Sequence, residues 1–393
     1  MKRLAFISPI FHPQAFGGSE RLALEIATLL SKEFEIHIYT SCARNYLSWR
    51  NEFSAGTEMF GSMFIHRFPT EEERDIGKFN SYYSKILRKF PNVSEKEYSK
   101  WLELQGPNTP SLISRLTADE ENFDCAVFFS YLYYPVLKTI PLFKGKAVFC
   151  PAVHDEPPIY FPMYQETFTD DLVYSFHTPE EKLLFSKIFG YVPSKSFISG
   201  MNVVLPEPDK KSGTILDFPY ILYVGRVERG KNVHRLIDFF LEWKKMSTHP
   251  HKLVIVGGGE QLEKNEIIIQ TGYVDEQLKY SFLKNCSVFI NPSPNESFSI
   301  SLMEAWLSER PVLVNGESDV LRAHCIRSNG GLYYSDSESF ISMLNFLVNS
   351  PDKSERMGRN GKDYVSKNYS SERIRQIWIR ALSEFVFESE LNI

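Results

Sequence analysis

Two carboxylates with seven residues between them stand out first. Glu296 lies in the loop Asn291-Pro-Ser-Pro-Asn-Glu296-Ser-Phe-Ser299, and Glu304 lies on the helical stretch that follows at once. An ionised carboxylate only accepts hydrogen bonds, so it suits a vicinal diol, which can donate twice. Such a pair could hold hydroxyls at two ends of one polyhydroxylated ligand. The free N–H groups near Phe298, Ser299 and Ile300, at the positive end of that helix, would receive phosphate oxygens. Taken alone, the spacing favours a plain loop charge and a solvated helix residue, because acidic residues are common. Other segments change that balance.

One is Gly225-Arg226-Val-Glu-Arg-Gly230-Lys231-Asn232, which follows the apolar run Tyr220–Val224. Its glycines permit close backbone approach, Arg226 can fork onto a diphosphate, and Lys231 adds a point charge. The segment satisfies GxxxxGK, most of a phosphate-cradling P-loop. Asn232 stands where that motif needs a magnesium-binding Ser or Thr, so a P-loop ATPase is disfavoured while phosphate binding survives. The bland alternative is a basic surface turn.

Weaker signals surround these two loops. Gly17 and Gly18, in His12-Pro-Gln-Ala-Phe-Gly17-Gly18-Ser-Glu20, would let a ligand touch the backbone before a helix. GGS is not GxGxxG, so a dinucleotide cofactor has little support. Gly257-Gly258-Gly259 reads only as a turn after a strand. His154, after the apolar run Ala147–Pro151, could bond a hydroxyl or a developing charge, although a lone histidine there more often caps a turn. Asp155 and Glu156 beside it lack any HxH or CxxC partner set, and no DxD occurs, so no metal is expected.

These loops need strands to position them. Leu4–Ser8, Phe34–Thr40, Phe123–Ser130 and Ala147–Pro151 read as buried strands, with an amphipathic helix over Ser19–Lys32. The pattern restarts at Tyr220–Val224, Lys252–Val256, Ile267–Thr271, Val288–Asn291 and Val312–Val314, with helices between them. Strands alternating with helices imply an α/β fold of parallel sheets covered on both faces. At 393 residues two domains are expected. The proline-bracketed polar stretch Asp209–Asp217 reads as their linker. Ligands of such sheets sit at the carboxyl ends of the strands, which points to a site between the two halves.

Bulk composition removes several classes. A net charge of -5 argues against gripping a long phosphate backbone, so no nucleic-acid partner is expected. The 31 Phe and 20 Tyr fit either sugar-stacking surfaces or thick aromatic cores. Five scattered cysteines without a CxxC pair read as reduced, buried thiols. The opening apolar run is too short for a signal peptide, and no stretch of about 18 apolar residues exists to span a bilayer. A cytoplasmic protein is expected.

Together the motifs resemble those of the family-4 glycosyltransferases, retaining enzymes of the GT-B fold. The resemblance covers most of the chain and is densest from Tyr220 to Tyr334. It rests on Gly17-Gly18-Ser-Glu20-Arg21, Val224-Gly225-Arg226 with Lys231, Gly272-Tyr273-Val274, the pair Glu296 and Glu304 as E-x7-E, and Arg310-Pro311-Val312. It implies two Rossmann-like domains facing each other across a deep cleft: an acceptor domain at 1–205 and a donor domain at 206–370. The last helix, 371–393, would pack back on the first domain. It also implies a nucleotide-sugar donor as co-substrate, no cofactor and no metal, and a saccharide or lipid-linked acceptor. Arg226 and Lys231 would hold the diphosphate, Glu304 the ribose, and Glu296 the transferred sugar near His154. Main-chain groups of Phe298 and Ser299 would meet sugar or phosphate, Tyr273 and Val274 the base, and Gly17 and Gly18 the donor from the opposite domain. The family commonly has Gly where Ser297 and Ser299 stand.

Residues 70–106 mix Lys78, Lys85, Arg88 and Lys89 with Phe79, Tyr82, Tyr83 and Phe90, and read as a helical insertion. It could touch an anionic membrane, which would place the protein peripherally at the inner face of the plasma membrane. Its acidic flanks favour a solvated helix with an ordinary buried face. The insertion is also expected to shape the acceptor site, through Tyr82 and Tyr83. A phosphorylase or sugar-nucleotide epimerase on the same fold, and a non-catalytic nucleotide-sugar-binding subunit, remain as alternatives. A ligand that binds only the native state raises the melting temperature. Screening nucleotide sugars by thermal shift should therefore find one that stabilises the chain, and Glu304→Ala and Arg226→Ala should each abolish that shift.

Overall fold

The computed structural model describes residues 1–13, 17–206, 216–263 and 265–387. Most of the linker expected at Asp209–Asp217, three residues of the loop before Gly17, and the end of the last expected helix lie outside the described residues. Two compact units result: Met1–Asn202 with Ile374–Ile393, and Val203–Arg373.

The N-terminal unit carries eight strands: β1 (Arg3–Ile7), β2 (Glu35–Ser41), β3 (Gly56–Phe60), β4 (Met63–Phe68), β5 (Cys125–Phe129), β6 (Ala147–Cys150), β7 (Val173–Phe176) and β8 (Ser196–Ile198). Their order is β3-β4-β2-β1-β5-β6-β7-β8, with only β3 antiparallel to its neighbour. The central strands β1, β5 and β6 are buried almost throughout, as expected where helices cover both faces. Edge strand β3 is exposed along its whole length, and its lack of alternation hides it from a periodicity reading.

The charged, aromatic stretch forms helices Ile76–Lys89 and Glu95–Gln105, the second opened by a Ser94–Glu97 capping box. Trp101 is buried and meets Phe161 edge-on at 5.0 Å, so these helices join the main core. The Tyr82 hydroxyl donates to the Glu97 carbonyl, while Tyr83 stacks on Phe79. Tyr83 also meets Trp101 of the second helix at 6.1 Å, so both tyrosines pack the helix pair together. Lys85 and Lys89 pair with Glu97. The aromatic wealth of the chain goes largely inward in this unit, through Phe6, Phe128, Phe129, Phe149, Phe161, Phe176 and Phe185. All five cysteines are buried free thiols. The helix Ser371–Phe385 returns to this unit, where Trp378 packs edge-on against Phe197 and Arg375 pairs with Glu33. Among the described residues no helix is long and apolar enough to cross a membrane.

The C-terminal unit carries β9 (Tyr220–Val224), β10 (Lys252–Val256), β11 (Ile268–Gly272), β12 (Val288–Asn291), β13 (Val312–Asn315) and β14 (Gly331–Tyr334). All are parallel, in the order β11-β10-β9-β12-β13-β14. Numbered from β9, this is the doubly wound 3-2-1-4-5-6 arrangement, whose direction of winding reverses between β9 and β12. The loops leaving the carboxyl ends of those two strands are the two that the sequence marks for chemistry.

The helix after β12, Ile300–Leu307, carries Glu304 and is short, so packing rather than propensity holds it. Its Trp306 is fully buried and donates from Nε1 to the Gly330 carbonyl at 2.9 Å. Helix Pro351–Asn368 lies close against it because Gly358 and Gly361 face it. A Cβ at Gly361 would come within 2.0 Å of the indole, and one at Gly358 within 2.1 Å of the Glu309 carbonyl oxygen. Phe298, just before the site helix, meets Tyr369 and His324 edge-on at 4.9 Å and 5.7 Å.

Burial drives the fold's acid sensitivity. It pushes the His324 imidazole down to about 3 and those of His66 and His251 to about 4. In the unfolded chain these rings take up a proton near pH 6.5. Their neutral forms therefore cost the folded state nothing above that pH. Below it the unfolded chain binds protons that the folded chain refuses, and stability is lost as pH falls toward 4. For fully buried His324 the slope is at most about 1.4 kcal/mol per pH unit. Urea melts between pH 7 and 5 should show stability falling with pH, and replacing His324 by a non-titrating residue should flatten the slope.

Candidate functional site

The loop after β12 is clamped at both ends by Asn291, the last residue of that strand. Its side-chain carbonyl accepts from the Ser293 N–H at 3.0 Å, and its amide donates to the Ser299 hydroxyl at 2.9 Å. The Ser293 hydroxyl donates to the Asn295 carbonyl, and Asn315 on β13 donates to that of Pro292. All four side chains, those of Asn291, Ser293, Ser299 and Asn315, are buried. Ser299 caps the site helix in a left-handed conformation, with φ at 78°. A side chain there costs about 1–2 kcal/mol, which explains why glycine suits this position and why Ser299 is tied by its own hydroxyl.

The loop after β9 is held from below. Val227 donates its N–H to Gly258 and accepts from Glu260, while Gly225 donates to Val256. These ties need glycine opposite: a Cβ at Gly257 would fall 2.0 Å from the Gly225 carbonyl oxygen, and one at Gly259 2.2 Å from that of Val227. The glycine turn judged weak by itself is thus a structural floor. The Tyr223 hydroxyl donates to the Arg226 carbonyl from beneath. Burial raises its pKa, and the charges of Glu296 and Glu228 raise it further. Asn232 ends the loop at φ 59°, a left-handed conformation that asparagine tolerates.

From this scaffold Lys231 and Glu296, 65 positions apart, meet. The ammonium lies 2.8 Å from Oε1, with 23% and 13% of the two side chains exposed. Arg226 stays nearer to solvent and pairs with Glu228 at 3.3 Å. Glu304 is not a solvated helix residue: only 3% of its side chain is exposed, and Oε1 accepts from Lys279 at 2.9 Å. Tyr273 lays its ring over Gly258 yet remains 65% exposed, and Val274 beside it is half-buried. Phe298 and Ser299 are buried and Ile300 half-buried at the helix start. The chemistry on offer is a cation beside an acid, a second acid in a sheltered position, and a helix N-terminus.

The remaining predicted residues belong to the N-terminal unit. Gly17 caps helix Gly18–Leu30, and the Glu20 carboxylate folds over it so closely that a Cβ would fall 1.8 Å from Oε2. His154 is half-buried in the loop after β6. That loop is fixed by the buried Glu181 carboxylate, which accepts from the N–H of Val153 at 2.8 Å, the N–H of His177 at 2.6 Å and the His177 ring at 2.8 Å. Local sequence marks Glu181 only as part of the Thr178-x-x-Glu181 capping signal.

The Lys231–Glu296 pair thus sits at the reversal of a doubly wound sheet, where ligands of such sheets bind. Residues 206–364 match the family described as "Glycosyl transferases group 1". The O-antigen chain mannosyltransferase RfbU of Salmonella typhimurium is 24% identical over 341 residues, covering 72% of this chain and 88% of the relative. Matches to two further relatives cover 50% and 41% of them, so the chain spans about half the length of those curated proteins. Among solved structures, sucrose-phosphate synthase from Thermosynechococcus elongatus superposes with a TM-score of 0.73 at 14% identity, over 99% of this chain and 100% of that one. Anabaena HepE, solved with UDP and glucose, gives 0.66 at 12% identity, over 98% and 100%. The fold is GT-B, built from two Rossmann-like sheets.

A charge-assisted hydrogen bond of this kind contributes about 1.5–3 kcal/mol. Lys231→Met should therefore weaken binding of a nucleoside diphosphate about ten- to hundredfold by calorimetry. Glu296→Gln should weaken a nucleotide sugar more than it weakens the bare diphosphate.

Proposed function

We propose that the chain is a retaining, metal-independent hexosyltransferase. It moves a sugar from a nucleotide-diphosphate donor, a UDP-sugar in the first instance, to a glycan or lipid-linked saccharide in cell-surface polysaccharide assembly. The observation that carries this reading is the Lys231–Glu296 pair at the β9/β12 reversal, beside a helix start. The mannosyltransferase activity in RfbU's name and the UDP and glucose bound to HepE support the donor class and the surface-glycan setting.

In this reading Lys231 and Arg226 carry the donor diphosphate, and the N–H groups from Phe298 to Ile300 share its charge. Glu304 accepts from the ribose hydroxyls, Glu296 from the sugar, and the backbone at Tyr273 and Val274 meets the base. Gly17, Gly18 and His154 contribute from the N-terminal unit, His154 toward the transferred sugar. As the bond between the anomeric carbon and the diphosphate oxygen breaks, negative charge grows on the leaving group. Cations already fixed in place stabilise that charge more than they stabilise the bound donor, which lowers the barrier. The acceptor oxygen bonds to the same face of the sugar, and its proton passes to the leaving phosphate. The anomeric configuration is retained.

Incubation with UDP- and GDP-sugars plus lipid-linked or oligosaccharide acceptors should release nucleoside diphosphate only when acceptor is present. NMR of the product should show the donor's anomeric configuration. Lys231→Met should lower turnover at least about a hundredfold. Conversion of the nucleotide sugar without acceptor would indicate an epimerase, and binding without turnover a non-catalytic subunit.

A further inference from the structure

Lys279 belongs to none of the motifs, yet it touches the most deeply buried acid of the proposed donor site. It stands on helix Glu276–Asn285, which Asp275 caps by accepting from the Leu278 N–H at 2.8 Å. That helix starts directly after Tyr273 and Val274. The Lys279 ammonium lies 2.9 Å from Glu304 Oε1 and 2.8 Å from Glu276 Oε2, and only 13% of its side chain is exposed. Glu276 is 58% exposed, so water already screens its charge. Glu304, at 3% exposure, has little such screening, and the ammonium is its counter-charge.

We propose that Lys279 is a positioning residue that holds the Glu304 carboxylate in the orientation from which it tells one ribose hydroxyl pattern from another. The inference rests on the donor reading above, in which Glu304 faces the ribose. A carboxylate rotates about its last side-chain bond, and the diol it accepts from has fixed geometry. Holding Oε1 selects one rotamer and so fixes the direction from which the group can accept from a diol. The lysine comes from the element that follows the base-contacting residues, whereas Glu304 comes from the element that follows the phosphate-contacting ones. The ion pair therefore fixes the distance between base and ribose recognition. A buried acid stripped of its counter-charge would turn toward water or another donor, and hydroxyl discrimination would go with it.

The test titrates wild type, Lys279→Met, Lys279→Arg and Glu304→Gln by calorimetry with UDP, 2′-deoxy-UDP, 3′-deoxy-UDP and inorganic pyrophosphate. The guanine series replaces the uracil series if GDP is the nucleotide that binds. Wild type should prefer the full ribose over at least one deoxy form by about tenfold or more. Lys279→Met should shrink that preference to within about twofold while pyrophosphate binds as before, and Lys279→Arg should restore it. A preference unchanged in Lys279→Met but lost in Glu304→Gln overturns the role of Lys279 and leaves the donor reading intact. Equal loss of UDP and pyrophosphate binding in Lys279→Met overturns it too, since that would mark a general structural role. If Glu304→Gln keeps the preference, or no nucleoside diphosphate binds wild type, the donor reading itself falls and takes this inference with it.

Discussion

Two parallel strands, β9 and β12, lie side by side in the C-terminal sheet although nearly seventy residues separate them in sequence. Because the chain winds away from β9 in one direction and from β12 in the other, the loops at their carboxyl ends diverge and no crossover helix covers the gap. Everything chemical in this unit follows from that arrangement. One loop brings Arg226 and Lys231, and the other brings Glu296 and the start of a helix. Charges that are ordinary surface residues in sequence become a half-buried pair 2.8 Å apart.

Keeping those loops in place takes more of the chain than the loops themselves. Asn291 closes the β12 loop on itself, glycines at 257 and 259 let the β9 loop rest on its neighbour, and Gly358 and Gly361 let a long polar helix seat the short one that carries Glu304. The strained backbone at Ser299 persists because these contacts over-determine it. The N-terminal unit uses the same device once more, with the buried Glu181 carboxylate fixing the loop of His154 from 28 residues away.

The alternation of apolar runs and amphipathic stretches made the parallel sheets readable before any coordinates, because strands buried on both faces are continuous apolar segments. Where burial is one-sided or absent the reading thinned. The exposed β3 strand carries no period, and the short β7 and β8 do not stand apart from their surroundings. The two acids and the Lys231 loop were legible because glycine, charge and spacing coincide there. Lys279 was not, since Glu276-Gln-Leu-Lys279 reads as a solvated helix turn and its partner stands 25 residues further on. Asn291 was visible in its loop, but its role depends on the loop folding back. Gly358 and Gly361 sit in a strongly polar helix, where only the fold shows why side chains are excluded.

The account stands or falls on whether the β9 and β12 loops form one phosphate-binding surface. Hydrogen exchange of the full chain with and without saturating nucleoside diphosphate measures this directly. Amides across 225–232 and 296–304 should gain protection together and to a similar degree, because one diphosphate would bridge both loops. Protection confined to one loop, or appearing only elsewhere in the chain, would contradict it.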